Sequence, residues 1–164
     1  MSEFQPKTAV ITGGASGIGL GLARGLASKG MKVMIADLPG EKLQAVSGEG
    51  FAGQPCDVSD LSQVEALAAA AFDTFETVDL VFNNAGVGGP HGKLWEVEPE
   101  AARAHFDINF WGVWNGCRAF APRLVEQETP SAIFNTGSEN SLFPAFPQTA
   151  AYIGAKHAVL GITE

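Results

Sequence analysis

Cysteine, positive charge and long apolar runs are all scarce in this chain of 164 residues. The two cysteines, Cys56 and Cys117, make no disulfide framework and lack the spacing of metal ligands, so no metal site is expected. The longest apolar run, residues 66–72, is far too short to cross a bilayer. Only ten Lys and Arg stand against 18 Asp and Glu, and the net charge of -8 argues against nucleic acid or an anionic membrane as a partner.

The N-terminal stretch 1–10 lacks a basic region followed by an apolar segment. No secretory signal is evident, and the cytoplasm is therefore the expected location. Apolar residues, at 46%, and glycine, at 20 residues, are plentiful. They predict one domain with a substantial core and many tight turns or close backbone approaches. A phosphate ligand stays possible despite the negative charge, because backbone N–H groups can hold it.

Short apolar strands alternate with helical patterns along the chain. Strands are predicted at 7–12, 32–37, 51–58, 78–86 and 131–137. Helices are predicted at 17–28, 38–46, 61–76, 98–128 and from 150 onward. Asp60 and Gln63 resemble a capping box, and Pro122 is expected to kink the long helix or to end it early. Nearly continuous apolar strands that alternate with helices predict an α/β fold, a doubly wound parallel sheet of the Rossmann type.

A glycine-rich segment, TGGASGIG at residues 12–19, follows the first predicted strand and opens the first helix. Glycines at 13, 17 and 19 permit a tight turn and let a pyrophosphate approach the N–H groups of the helix N-terminus. The spacing differs from the standard Gly-x-Gly-x-x-Gly, but a strand before and a helix after are the expected context. The alternative is a plain strand-to-helix turn, which rarely needs three glycines.

Asp37 ends the second predicted strand, eighteen residues after Gly19. A carboxylate at this place can accept hydrogen bonds from both ribose hydroxyls of an adenosine, and it repels a 2′-phosphate. Residue 16 is Ser, so no basic side chain of the glycine loop counters this preference. The pattern favours NAD over NADP. The alternative is that Asp37 only forms the turn before Leu-Pro-Gly.

Further motifs follow in order: Asp57-Val58, NNAG at 83–86, Asn109, Ser138 and YIGAK at 152–156. With the glycine loop, they make the chain from residue 7 onward resemble the short-chain dehydrogenase/reductase family. The resemblance implies that Asn109, Ser138, Tyr152 and Lys156 form a catalytic tetrad. It implies an NAD site built from Gly13, Ser16, Gly17, Ile18, Gly19, Asp37, Asp57, Val58, Asn84, Ala85, Gly86, Tyr152 and Lys156.

The implied reaction is hydride transfer between a secondary alcohol and the cofactor, with Tyr152 as acid or base. Tyr152 and Lys156 lie four residues apart and so share one helix face. A free tyrosine loses its proton only near pH 10, and a positive charge nearby favours the ionised form. By resemblance, Ser138 holds the substrate oxygen and Asn109 positions a water linked to Lys156.

Alternatives stay open for several of these residues. Asp57 is also suited to turn the chain into the third helix, and NNAG to form an Asn-rich turn. Ser141 lies close to Ser138, which stands one residue further from Tyr152 than is usual in the family. A Tyr and a Lys four apart are common in ordinary helices as well.

Family members have roughly 250 residues, so strands 1 to 5 are expected to be present here and the C-terminal strands to be missing. The expectation is a single NAD-binding domain over 1–164, truncated and unstable in isolation. Two functions remain: an NAD-dependent alcohol dehydrogenase, or a catalytically inactive dinucleotide-binding fragment or regulatory module.

Substrate contacts are expected from the segments 89–97 and 141–152. Their large apolar residues suggest an apolar or aromatic small-molecule alcohol or ketone, or only pack the loops: Trp95, Leu142, Phe143 and Phe146. His91 is interpreted as a loop histidine. The resemblance further implies a homodimer or homotetramer, with the aromatic cluster of Phe110, Trp111 and Trp114 near the interface.

Overall fold

Five parallel strands form the centre of the computed structural model, which describes residues 5–143 and 146–163. The strands are β1 (Thr8–Thr12), β2 (Lys32–Asp37), β3 (Ala52–Pro55), β4 (Leu80–Asn83) and β5 (Ala132–Asn135). The helices are α1 (Gly17–Ala27), α2 (Glu41–Gly48), α3 (Leu61–Phe75), α4 (Pro99–Phe106), α5 (Gly112–Glu126) and α6 (Ala150–Gly161). The sheet order is β3-β2-β1-β4-β5, so the chain winds outward from β1 in both directions. The prediction of a doubly wound parallel sheet is confirmed.

Both faces of the sheet are covered by helices. On one face Val64, Leu67 and Phe120, from α3 and α5, are buried with Val10 and Val81 of the central strands. On the other face the alternate strand residues, among them Ile11 and Ile35, pack with α1 and α2. Strands buried on both sides explain why the sequence shows continuous apolar runs rather than alternation.

Three strands and the long helix differ from the predicted limits. The strand predicted at 51–58 ends at Pro55, and the one predicted at 131–137 covers only Ala132–Asn135. The strand predicted at 78–86 ends at Asn83, because the Thr12 hydroxyl, and no strand ladder, accepts from the N–H groups of Asn84 and Ala85.

The helix predicted at 98–128 consists of two α-helices joined by a π-helical segment, Asp107–Trp111. The second of them, α5, continues through Pro122 to Glu126, so of the two expected effects of Pro122, a kink or an early end, the early end is wrong. The irregularity lies earlier in the chain, in the π-helical segment around Asn109, thirteen residues before Pro122. A π-turn of this kind interrupts the regular hydrogen-bond ladder and is frequent at functional sites.

The capping box at the start of α3 is built differently from the prediction. The Asp60 side chain accepts from the backbone N–H of Ser62, and Gln63 accepts from the N–H of Asp57 at 2.9 Å. The N–H of Asp60 itself donates to the Asp57 carbonyl oxygen. Gln63 therefore holds the chain segment that precedes the cap.

No helix among the described residues is long and apolar enough to cross a membrane.

Candidate active site

A cavity of about 880 Å³ opens at the carboxyl ends of the strands. Every residue of the predicted NAD site and of the predicted tetrad lines it, from the glycine loop through Asp37 to Lys156. The cavity lies beside β1 and β4, where the winding of the sheet reverses. Ligands of open α/β sheets bind at this kind of position. The fold thus brings the predicted site residues together, and their individual roles stay predictions.

The glycine loop needs glycine at two of its positions for steric reasons. A Cβ on Gly13, whose φ is +64°, would stand 2.8 Å from the Cα of Ala85. A Cβ on Gly19 would collide with the Gly13 carbonyl oxygen and the Asn84 side chain. At Gly17, φ is +53°, a left-handed conformation that other residues adopt only with strain. These contacts press the loop against NNAG at the edge of the cavity.

The first turn of α1 presents its N–H groups without competing partners nearby. Ser16, the N-cap residue, makes no side-chain capping bond within the described chain, and no acidic residue stands in that turn. The first N–H groups of a helix have no partner within the helix and carry partial positive charge. They suit the phosphates of a dinucleotide.

Asp37 holds the glycine loop with one carboxylate oxygen and its own turn with the other. Oδ2 accepts from the N–H of Ala15 and Oδ1 from the N–H of Leu38, each at 2.9 Å. The turn-forming interpretation is therefore correct as far as it goes. Each oxygen keeps a further lone pair, because a carboxylate accepts about four hydrogen bonds. The carboxylate lines the cavity and is free to take two more donors there.

Asp57 and Val58 line the same end of the cavity. Oδ1 of Asp57 accepts from the N–H and the hydroxyl of Ser59, which also gives it the turn-forming role. Val58 is clamped against α5: its carbonyl oxygen accepts from Asn115, and a Cβ on Gly112 would lie 2.7 Å from its side chain. The Val58 side chain is thus held in place as an apolar part of the cavity lining.

The NNAG segment connects the sheet to the cavity. Asn83 is buried and donates to the Asn135 side chain on the neighbouring strand at 2.9 Å. Asn84 turns the other way and donates to the Thr12 carbonyl oxygen at 3.0 Å. The two asparagines thus fasten β4 to β5 and to the glycine loop, respectively. Ala85 and Gly86 follow as the cavity wall.

Asn109 is fully buried in the π-helical segment. Its Oδ1 accepts from the N–H of Val87 at 3.2 Å, and its Nδ2 donates to the Val87 carbonyl oxygen at 3.1 Å. A Cβ on Gly86 would stand 2.8 Å from this Oδ1, so glycine is required for the approach. The pair of bonds locks the strand-to-loop turn after β4 onto the helix.

Lys156 lies in the middle of α6, and its side chain is buried although it lines the cavity. The ammonium donates to the Thr136 carbonyl oxygen at 2.7 Å. Nζ is 6.0 Å from the centre of the Tyr152 ring on the preceding turn. Burial lowers the pKa of Lys156, because the charged form loses hydration. A positive charge next to the phenol ring is thus held by one strong backbone contact.

Ser138, and not Ser141, faces the cavity. Its Oγ accepts from the N–H of Asn140 at the start of a short 3-10 turn, Glu139–Ser141. Ser141 is buried, is absent from the described lining of the cavity, and uses its Oγ to accept from the Ser138 N–H at 3.0 Å. The structure therefore separates the two serines that the sequence left ambiguous.

The expected apolar substrate residues do not all reach the site. Phe146 lines the cavity, whereas Trp95, Leu142 and Phe143 are exposed and absent from its described lining. Trp95 instead lies under the Lys93 ammonium, 5.7 Å from it. Residues 144 and 145 of the predicted substrate segment lie outside the described part of the chain. His91 lines the cavity as well.

Sequence reasoning missed His105 and Thr136. His105 is buried one helical turn before Asn109, and Thr136 supplies the carbonyl oxygen for Lys156. A backbone acceptor leaves no signal in the residue type. His105 did leave one, since residues four apart on a helix share a face.

The doubly wound parallel sheet carries the glycine loop and Asp37 in the same cavity as Ser138, Tyr152 and Lys156, which is the architecture of a dinucleotide-binding fold. The family model described as short chain dehydrogenase matches residues 7–164, and the chain belongs to that family. It is 40% identical over 165 residues to 1-deoxy-11-beta-hydroxypentalenate dehydrogenase of Streptomyces avermitilis, covering 96% of this chain and 61% of the relative.

Solved structures agree with this assignment. A short chain dehydrogenase/reductase from Burkholderia phymatum in complex with NAD has a TM-score of 0.88 at 40% identity, over 98% of this chain and 59% of that one. An actinorhodin polyketide ketoreductase with NADPH has a TM-score of 0.88 at 31% identity, over 96% and 62%. The chain thus spans about three-fifths of the length of these relatives.

Proposed function

We propose that the protein is an NAD-dependent oxidoreductase that interconverts a secondary alcohol and a ketone, with Tyr152 as acid and base. One observation carries the proposal: a single cavity joins the glycine loop and Asp37 to Ser138, Tyr152 and Lys156. The described residues form one dinucleotide-binding domain around one sheet. Because relatives are longer, the proposed activity is that of the whole protein.

The residues at the Asp37 end fit a dinucleotide. Glycines at 13 and 19 let the loop pack closely against Ala85 and Asn84, where a Cβ would collide, and the N-terminus of α1 suits the phosphates. The remaining lone pairs of Asp37 suit ribose hydroxyls, and its charge disfavours a 2′-phosphate. This supports NAD as the cofactor, although solved relatives hold NAD in one case and NADPH in another. When bound, the nicotinamide supplies the hydride acceptor or donor.

Tyr152 and Ser138 act on the substrate oxygen. Because the Ser138 Oγ already accepts from the Asn140 N–H, its own O–H remains to donate to that oxygen. The Tyr152 phenolate takes the alcohol proton during oxidation, and the hydroxyl so formed gives a proton to the substrate oxygen during reduction. Lys156 supplies the positive charge that favours the phenolate, and Thr136 fixes its place.

Asn109 positions the proton path beside Lys156. Its side chain is tied to the backbone of Val87, while the π-turn around it interrupts the regular backbone ladder. A backbone carbonyl freed from the ladder is suited to hold a water near the lysine. This arrangement supports the role that the sequence resemblance assigns to Asn109.

The substrate proposed is a small alcohol or ketone with an apolar part. Phe146 supplies an apolar wall, and the polar His91 lies at the same opening. We further propose a homodimer or homotetramer for the whole protein. Trp111 and Trp114 are each almost half exposed and pack edge to face with centres 5.8 Å apart, which gives an apolar surface suited to a second copy.

Tyr152→Phe tests the function directly. We expect turnover of secondary alcohols with NAD to fall by roughly 100-fold or more, as the loss of a general acid–base group does. NADH binding, followed by its fluorescence, should stay within about threefold, since the ring remains. A variant that keeps full activity would refute the role of Tyr152. Binding of NADH without turnover in the unmodified protein would favour the inactive dinucleotide-binding module.

A further inference from the structure

His105 is a buried histidine behind the catalytic group. It lies on the last turn of α4, is 4% exposed, and is absent from the described lining of the cavity. A buried histidine needs hydrogen-bond partners, and the identity of these partners indicates the role of the ring.

The orientation of the Asn109 amide is fixed by backbone groups alone. Its Nδ2 faces two carbonyl oxygens, those of Val87 and His105, each at 3.1 Å, and its Oδ1 faces the N–H of Val87. A flipped amide would place an oxygen against both carbonyls and an NH2 against an N–H. The nitrogen assignment is therefore secure.

This orientation determines the protonation of the histidine. Nε2 of His105 lies 3.1 Å from the same Nδ2. An amide nitrogen only donates, so Nε2 accepts in a three-centre bond, sharing one of the two N–H groups that also face the carbonyl oxygens, and the ring is then neutral with its proton on Nδ1. A positively charged ring would turn an N–H toward the Asn109 NH2 group, and this contact would be lost.

The other contact of the ring is with the catalytic helix. The His105 ring meets the Tyr152 ring edge to face, with centres 5.9 Å apart and planes at 62°. α4 and α6 are close-packed here, since a Cβ on Gly154 would stand 3.2 Å from the Phe106 ring. The pKa of His105 is lowered, mainly by burial and to a smaller extent by the charge of Lys156, and both effects favour the neutral ring.

From these contacts we infer that His105 is a positioning residue of the tetrad: its neutral ring holds the Asn109 amide through Nε2 and supports the Tyr152 ring. Asn109 lies in the π-helical segment and Tyr152 in α6, and His105 contacts both residues. The inference rests on the proposed function of Tyr152. Among the described residues, the titratable groups that face the ring are Tyr152, which contacts it edge to face, and Lys156, both on α6; Asp107 on the adjoining π-helical segment is exposed.

Two variants separate the contacts. His105→Phe keeps an aromatic ring beside Tyr152 but removes the acceptor, and His105→Gln offers an acceptor oxygen to the Asn109 amide without the ring. The exposed His157, on α6, gives the matched control His157→Gln. With NAD and the best substrate of a panel of secondary alcohols, we expect His105→Phe to lower kcat about tenfold with KM values within twofold. His105→Gln should recover at least threefold of that loss.

A double-mutant cycle tests whether His105 acts through Asn109. The kcat loss of His105→Phe combined with Asn109→Ala should equal the loss of Asn109→Ala alone. Additive losses, or a kcat of His105→Phe within twofold of the unmodified protein, would overturn the inference. Tyr152→Phe in parallel keeps the two proposals apart: its inactivity beside a fully active His105→Phe refutes only the role of His105.

Nuclear magnetic resonance gives a readout that needs no turnover. Histidine 15N–1H correlations should show the His105 proton on Nδ1 at neutral pH, and the Asn109 side-chain NH2 signals should move in His105→Phe but not in His157→Gln. A proton on Nε2, or Asn109 signals that do not move, would contradict the inference.

Discussion

Gly116 is the helix glycine whose replacement should destabilise the fold beneath the active site. It lies in α5 opposite Asn83, and a Cβ at this position would collide with the Asn83 carboxamide. That carboxamide is buried and donates to Asn135, and its Oδ1 has no hydrogen-bond partner among the described residues. It has no room to move away without breaking the bond between β4 and β5.

The magnitude for Gly116→Ala follows from three effects. Overpacking a buried contact costs about 1–3 kcal/mol. Loss of the hydrogen bond between Asn83 and Asn135 costs about 1 kcal/mol more, and the better helix propensity of alanine returns about the same amount. We expect Gly116→Ala to lower the free energy of unfolding by about 1–3 kcal/mol.

Gly25→Ala is the matched control, because Gly25 also lies inside a helix and its Cβ would meet no described atom within 4 Å. This variant should raise the free energy of unfolding by about 0.5–1 kcal/mol. Urea unfolding of both variants measures the difference directly. Equal stabilisation by both substitutions would refute the contact between Gly116 and Asn83. Asn83→Ser, which shortens the side chain, should reduce the cost of Gly116→Ala.

Three further predictions concern charge and cofactor. Asp37→Asn should weaken NAD binding roughly 10- to 100-fold, since it removes a charged acceptor worth about 1.5–3 kcal/mol, and should narrow the preference over NADP; unchanged Kd values for both would contradict the ribose role. Because burial and Lys156 lower the pKa of His105, the unfolded chain binds more protons than the folded protein just below pH 6.5, and the free energy of unfolding should fall there as the pH falls. His105→Gln should abolish the His105 contribution to this pH dependence, and an unchanged pH dependence in the variant would contradict the prediction. Burial, with the charges of Asp57 and Asp60, raises the pKa of Cys56 from 9.0 to about 11, so its reaction with a thiol reagent at neutral pH should be on the order of a hundredfold slower than that of a free thiol, and fast labelling in the folded protein would disprove it.

The fold could be predicted from the sequence because each strand is buried on both faces. Runs such as KTAVIT and KVMIAD are continuous in apolar residues, and each is followed by a helical pattern of one apolar stripe. The strand ends were less predictable. Nothing in residues 84–86 themselves indicates that β4 ends before them. The strand pairing of β4 ends at Asn83 because the distant Thr12 hydroxyl accepts from the N–H of Asn84. The sequence around Asn84 carries no pattern that indicates a contact with Thr12, which lies 72 residues earlier.

The site could be predicted because its residue types are unusual where they stand. An asparagine inside the apolar stretch FDINFW is a poor choice for packing, and Asn109 proved to be buried and bonded to Val87. The π-turn that surrounds it was not predictable, since FDINFW has the same period as the helices on either side. Trp95, suggested as a substrate contact or a loop-packing residue, is exposed and absent from the described lining of the cavity; exposure of a large ring depends on the path of its loop, which no period specifies.

A chain with a net charge of -8 and an anionic ligand site needs a local source of positive potential. Lys156 supplies one charge, but burial and the hydrogen bond to Thr136 fix it at the tyrosine end of the cavity. At the other end stand Asp37 and Asp57, both negative. The pyrophosphate between them therefore depends on backbone N–H groups at the start of α1, which is free of acidic residues in its first turn. The glycines at 13 and 19 are needed because a Cβ at either position would collide with Ala85 or with the Gly13 carbonyl oxygen and Asn84, so that the loop could not pack against NNAG. The backbone N–H groups of the loop thus offset the negative charge of the chain at the phosphate position, and the proposed binding of the ribose by Asp37 is compatible with phosphates held there.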